Sequence, residues 1–180
     1  MASEKFKAML HFIIDECGDA ARLGAVRLNK ICWYSDVFSF KQTGQAITQE
    51  TYVKRQMGPV PSSVLRGIRE LQVSGAIAVS ERDFGSHRRR DFMSLRTADV
   101  VLLSEYEQHT IRSVTHAICN GHTAASISEL THDQIWEAAA EGEQIPLVAT
   151  LGALPAEVDD EIMVWADGVV AAVIADREAA

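Results

Sequence analysis

A chain of 180 residues, 47% of them hydrophobic and 23% charged, is long enough for one domain with a core of its own, so it needs no covalent staples. Its net charge of −8 excludes a uniformly basic surface. No apolar run reaches the ~20 residues a membrane span requires. Cys17, Cys32 and Cys119 are an odd, widely separated set without a CxxC pair, which points to reduced thiols in a cytoplasmic protein and not to a disulfide framework. Acidic residues at Glu4, Asp15, Glu16 and Asp19 argue against a secretory leader. The charge is unevenly spread. Residues 1–132 carry sixteen Lys and Arg against fourteen Asp and Glu, whereas residues 133–180 carry only Arg177 against eleven acids.

Phe6, Met9, Leu10, Ile13 and Cys17 recur at helical spacing, and Gly18 ends that helix. The next helix, over 26–40, is apolar on nearly every side, with Leu28, Ile31, Cys32, Trp33, Tyr34, Val37, Phe38 and Phe40. Such a helix is surrounded by neighbours. It is the expected centre of the core, and its polar residues Asn29, Lys30, Ser35 and Asp36 must reach water or find partners. Thr43-Gly44 closes it.

A strand follows at 51–56. Gly58-Pro-Val-Pro61 then reads as a rigid extended corner, with Pro61 in the first turn of a helix over 62–73 that turns Val64, Leu65, Ile68 and Leu71 inward. Segments 76–80 and 89–95 read as two strands around Gly85, which with 51–56 give three strands. Ser104 and Glu107 form a capping box for a helix striped by Ile111, Val114 and Ile118. Short helices are expected at 124–130 and 132–141, the second capped by Thr131 or His132. A last helix is expected after Pro155, at 155–180, with acids in its first turn. The fold class is α+β, mainly α-helical. It is a helical bundle around a central buried helix with a small three-stranded antiparallel sheet or hairpin, one domain over 1–180.

The ordered set Leu28-Asn-Lys-Ile-Cys-Trp-Tyr34, Asp36, Thr43-Gly44, Thr51-Tyr52-Val53, Gly58-Pro-Val-Pro61 and Leu103-Ser-Glu105 resembles the Panacea (SocA-like) domain. So does Ala125-Ser-Ile-Ser-Glu-Leu-Thr-His-Asp133 with Trp136 and Ile145-Pro146. The resemblance covers about 3–150, and Leu147 departs from it where an aromatic residue is favoured. It implies a non-enzymatic, cofactor-free antitoxin, of a kind associated with prophages and toxin–antitoxin operons. Its partner would be a protein toxin encoded by a neighbouring gene, in some members handed to an ATP-dependent protease.

Four groups of side chains invite chemistry. His109, His116, Cys119 and His122 could suggest a metal, but they lack paired-ligand spacing and read better as satisfied or exposed residues. His132 beside Asp133 could suggest a general base, yet no nucleophile motif accompanies it, and helix capping explains it better. Arg82, Arg88, Arg89, Arg90 and Arg96 make a basic hairpin after the 62–73 helix, close to a winged-helix order. DNA binding is the alternative reading, against a partner-binding hairpin or ion pairs with the acidic C-terminal third. Tyr52, Arg55, Pro59, Pro61, His132 and Trp136 build either the fold or a partner groove. Glu137, Glu141 and Glu143, outside the acidic first turn of the last helix, are the acids expected to steer a basic partner.

Overall fold

The computed structural model describes residues 1–84 and 87–152. The first helix, α1 (Glu4–Cys17), begins where the Ser3 hydroxyl accepts from the Phe6 N–H at 3.2 Å, and it stops at Gly18 in the left-handed conformation. Phe6, Met9, Leu10 and Ile13 are buried as their spacing requires. His11 is buried with them, its Nε2 lying 3.0 Å from both Ser94 Oγ and the Arg96 carbonyl. The second helix, α2 (Ala20–Thr43), starts on an Asp19 cap and is interrupted at Gly24, with φ 59° and ψ 162°. A side chain is strained at that φ, so glycine permits the break that frees the 26–40 segment to run straight through the core.

Around α2 follow β1 (Tyr52–Arg55), β2 (Gly58–Pro61), α3 (Val64–Val73), β3 (Ile77–Phe84) and β4 (His87–Ser94). After them come α4 (Glu105–Gly121), α5 (Ala124–Glu129), α6 (Gln134–Ala138), β5 (Gln144–Ile145) and α7 (Ala149–Gly152). The second helix packs against α1, α4, α5, β2 and β4, so it is central as expected. Leu28, Ile31, Cys32, Trp33 and Val37 are buried, and full burial of one such side chain stabilises by about 1.5–3 kcal/mol. Tyr34 and Phe40 are half-buried, and Phe38 is 48% exposed. An all-round apolar helix carries no polar face to say which side is left over, and Phe38 lies on the side its neighbours do not cover. The same difference appears on α3, where Val64, Ile68 and Leu71 are buried but Leu65 is 65% exposed.

The strands join differently from the expected set. The three-stranded antiparallel sheet has the order β2-β1-β5, while β3 and β4 form a separate hairpin. Gly58–Pro61 is itself a strand, with Tyr52 opposite Pro61 and Arg55 opposite Gly58. Pro61 therefore ends β2 and does not begin α3. Proline cannot donate to a ladder, and β2 is an edge strand, which tolerates that. On the other side, Tyr52 and Val53 pair with Ile145 and Gln144.

The capping box at Ser104 and Glu107 starts α4 as expected. Asp133, not Thr131 or His132, caps α6, accepting from the Trp136 N–H at 2.9 Å. The helix expected at 155–180 lies outside the described residues. Among the described residues no helix is long and apolar enough to cross a membrane.

Candidate partner-binding face

Two ionisable side chains of α2 turn into the protein and fix the β1–β2 hairpin from beneath. The Asp36 carboxylate is fully buried and accepts three hydrogen bonds, from the Thr48 N–H (2.8 Å), the Thr48 hydroxyl (2.6 Å) and the Tyr52 hydroxyl (2.7 Å). Burial outweighs those donors and pushes its pKa up to about 6. The Tyr52 ring meets Trp33 edge to face, with centroids 4.9 Å apart. Lys30 is 1% exposed, and its Nζ finds no hydrogen-bond partner among the described residues. Burial lowers this amine to about 7. It lies against Gly58, where a Cβ would stand 1.7 Å from Nζ and 2.5 Å from Thr131 Oγ1. Tyr52, Pro59 and Pro61 are thus buried supports of the sheet, and of the expected corner residues only Arg55 reaches the surface.

Above that support the chain from α5 to β5 is stitched to the hairpin. Ser128 donates to the Met57 carbonyl at 2.9 Å, and Thr131 donates to the Ser128 carbonyl at 2.8 Å. The Trp136 indole N–H reaches the Arg55 carbonyl at 3.2 Å. His132 stacks on Trp136 at 3.8 Å between centroids and 12° between planes, and Lys54 Nζ sits 4.0 Å over the same indole. Arg55 pairs with Glu141 at 3.5 Å, and Glu143 accepts from the Ala140 N–H at 2.6 Å. Glu137, Glu141 and Glu143 are exposed. Six residues singled out in the sequence (Arg55, His132, Trp136, Glu137, Glu141 and Glu143) therefore share one region.

The basic hairpin is elsewhere. Arg82 and Arg89 pair with the buried Asp91 at 3.2 and 2.7 Å, and Arg90 pairs with Glu81 at 3.0 Å. Arg89 also donates to the Ala21 carbonyl at the start of α2. These arginines meet acids of their own hairpin, and most of the acidic C-terminal third that they were expected to pair with lies outside the described residues. The Arg88 side chain lies outside the described residues.

A second surface feature escaped the sequence reading. Tyr34 and Phe38 of α2, Val114 and Ile118 of α4, Ile127 of α5 and Leu130 line an open apolar groove of about 230 Å³. The Tyr34 and Phe38 rings stack at 5.9 Å, and the Tyr34 hydroxyl donates to the Leu130 carbonyl at 3.4 Å. Leu130 is 58% exposed. Burial, with the Asp133 charge, pushes Tyr34 up to about 12. Glu129, Asp133 and Glu137 are exposed along the α5–α6 segment that leads from this groove to Trp136. The available signal was an excess of apolar residues on α2, more than one helix can bury.

Ser128 Oγ is 3.4 Å from His132 Nε2, but that hydroxyl is buried and donates to a carbonyl, while Asp133 caps α6. This contact holds the turn in place. Among the described residues no group of three or more His, Cys, Asp or Glu side chains is placed to hold a metal. His116 faces Glu16 at 3.9 Å, and Cys119 meets Cys17.

A family model described as "Antitoxin SocA-like, Panacea domain" matches residues 28–137. The match runs from the start of the buried α2 segment through α6, so it contains the hairpin, the groove and the Trp136 platform. No curated protein and no solved structure matches the chain.

Proposed function

The chain belongs to the SocA-like antitoxin family defined by the Panacea domain, and from that premise we propose that it neutralises a cognate basic protein toxin by direct binding. The observation that carries this reading is the apolar groove of Tyr34, Phe38 and Leu130, continuous in sequence with an acid-bearing segment that leads to the His132–Trp136 stack. Exposed aromatic and aliphatic anchors with a polar rim are the usual composition of a protein interface. The exposed Glu129, Asp133 and Glu137 along that segment favour a partner whose apolar anchor is accompanied by Lys and Arg. The protein acts in the cytoplasm, without catalysis or cofactor, on a toxin encoded beside its own gene.

The test is co-expression with the product of the neighbouring gene, scored by growth and by affinity of the purified pair. Leu130→Asp and Trp136→Ala should each weaken binding about thirtyfold or more, the ~2 kcal/mol of an interface anchor, with melting of the free protein little changed for Leu130→Asp. Full rescue of growth by both variants would exclude this face. The same cells report on the adaptor form of the reading. Toxin whose half-life shortens when the antitoxin is present is being delivered to an ATP-dependent protease, whereas toxin of unchanged half-life is neutralised by occlusion.

A second reading has its own observation. The third helix packs on β3 of the hairpin and exposes Arg66 and Arg69, while Arg82 and Arg90 stand on the same hairpin. A DNA-binding regulator built this way would bind duplex DNA with a steep dependence on salt. Arg66→Ala with Arg69→Ala should abolish that binding if it exists and leave toxin neutralisation intact.

A further inference from the structure

The three thiols read in sequence as separate, unpaired residues, and two of them meet. Cys17 ends α1 and Cys119 lies in the last turns of α4, and their Sγ atoms are 3.3 Å apart. Each is half-buried, so a small thiol reagent can reach the pair, while Cys32 is fully enclosed. We propose that Cys17 and Cys119 form a thiol-exchange site that low-molecular-weight disulfides convert to an intramolecular disulfide.

The surroundings assign different roles to the two sulfurs. The hydrogen bond between the two sulfurs pulls the Cys17 thiol down to about 7, against the opposing effect of burial, and raises Cys119. The Arg27 guanidinium acts on both sulfurs in the direction of the thiolate, and it is anchored to the His122 carbonyl. Arg22 is held beside them by Asn120 at 2.9 Å. A thiolate attacks a disulfide, and one whose pKa is near the ambient pH does so best. Cys17 is therefore the attacking residue and Cys119 the resolving one.

With oxidised glutathione the reaction balances in two exchanges. The Cys17 thiolate attacks one glutathione sulfur; the glutathione S–S bond breaks, a Cys17–glutathione bond forms, and one glutathione thiolate leaves. Cys119 then gives up its proton and attacks Cys17 Sγ. The Cys17–Cys119 bond forms as the second glutathione thiolate departs. Two protein thiols are oxidised by two electrons, one disulfide is reduced, and the two protons end on glutathione. The product ties the end of α1 to α4, which carries the Val114 and Ile118 wall of the groove.

The experiment uses the full chain, reduced and desalted, then incubated with oxidised glutathione and quenched by acid and alkylation. Thiols titrated in denaturant should fall from the three of the sequence to one. Mass spectrometry of non-reduced peptides should find Cys17 joined to Cys119 with Cys32 alkylated. Cys119→Ser should instead retain glutathione on Cys17, and Cys17→Ser should react about tenfold more slowly at Cys119. The wild-type melting temperature should rise on oxidation and return with dithiothreitol. Three free thiols after prolonged incubation, stable glutathione adducts on both cysteines of the wild type, or a disulfide found only between two chains would each overturn the proposal. The wild-type peptide map decides between these outcomes even if a serine variant fails to fold.

Discussion

Replacing Lys30 by Met should stabilise the protein, and the gain should depend on pH in a way that identifies its cause. Burial lowers the Lys30 amine from 10.5 to about 7, with Nζ enclosed between Gly58 and Thr131. At about 1.4 kcal/mol per pH unit, that fall amounts to a penalty of ~5 kcal/mol below pH 7. Between pH 7 and 10.5 the folded amine is neutral and the unfolded amine is charged. Unfolding then takes up a proton, and raising the pH favours the folded state. The wild-type penalty shrinks accordingly, to ~2 kcal/mol at pH 9. Met has a similar length and no charge to desolvate, so the variant escapes that penalty. Urea unfolding of both proteins at pH 6, 7, 8 and 9 gives the gap directly. It should be largest at pH 6 and narrow steadily upward. A gap that is the same at every pH, or a Met variant less stable throughout, would mean that Lys30 is charged and well partnered in the folded protein, and the reasoning fails.

Trp33→Ala should cost about 3–5 kcal/mol, as for a buried aromatic, while Phe38→Ala should cost under about 1 kcal/mol because half of that ring is already in water; equal losses in a thermal melt would contradict the exposure of Phe38. Gly58→Ala should be among the most damaging single changes, since it places a Cβ against Lys30 and Thr131 at a φ of +104°, and a folded variant with an unchanged melt would disprove that packing. Tyr52→Phe removes one of the three donors to Asp36 and should cost about 1.5–3 kcal/mol at pH 7. The folded Asp36 carboxyl, at about 6, holds its proton more tightly than the unfolded one, so its contribution to stability is lost as pH rises from about 4 to 6. In the Phe variant that loss should extend to higher pH, which denaturant melts across pH 4–7 would detect. Changing Glu137, Glu141 and Glu143 to Gln should slow association with a basic partner at low salt and converge with wild type near ~0.5–1 M, because screening shortens the reach of such charges; stopped-flow rates identical at all ionic strengths would make these acids a solvated face only.

The stripes of α1 and α4, the Ser104–Glu107 capping box, and Gly18 and Gly44 as stops were legible in the chain because they depend on residues a few positions apart. Burial of the 26–40 helix followed for the same local reason. Strand partners did not, since nothing in Thr51–Gln56 says whether β1 pairs with the hairpin of 77–94 or with Gly58–Pro61 and Gln144–Ile145. That choice rests on contacts between residues as far apart as Tyr52 and Ile145. The burial of Lys30 and the exposure of Phe38 were likewise decided by what packs around α2, because a helix apolar on all sides fixes no orientation. The chain also marked Arg55, His132, Trp136 and the three glutamates as unusual, but only the closing of β5 onto β1 brings them to one face. Cys17 and Cys119, 102 positions apart, meet because α1 and α4 pack against each other as well as against α2.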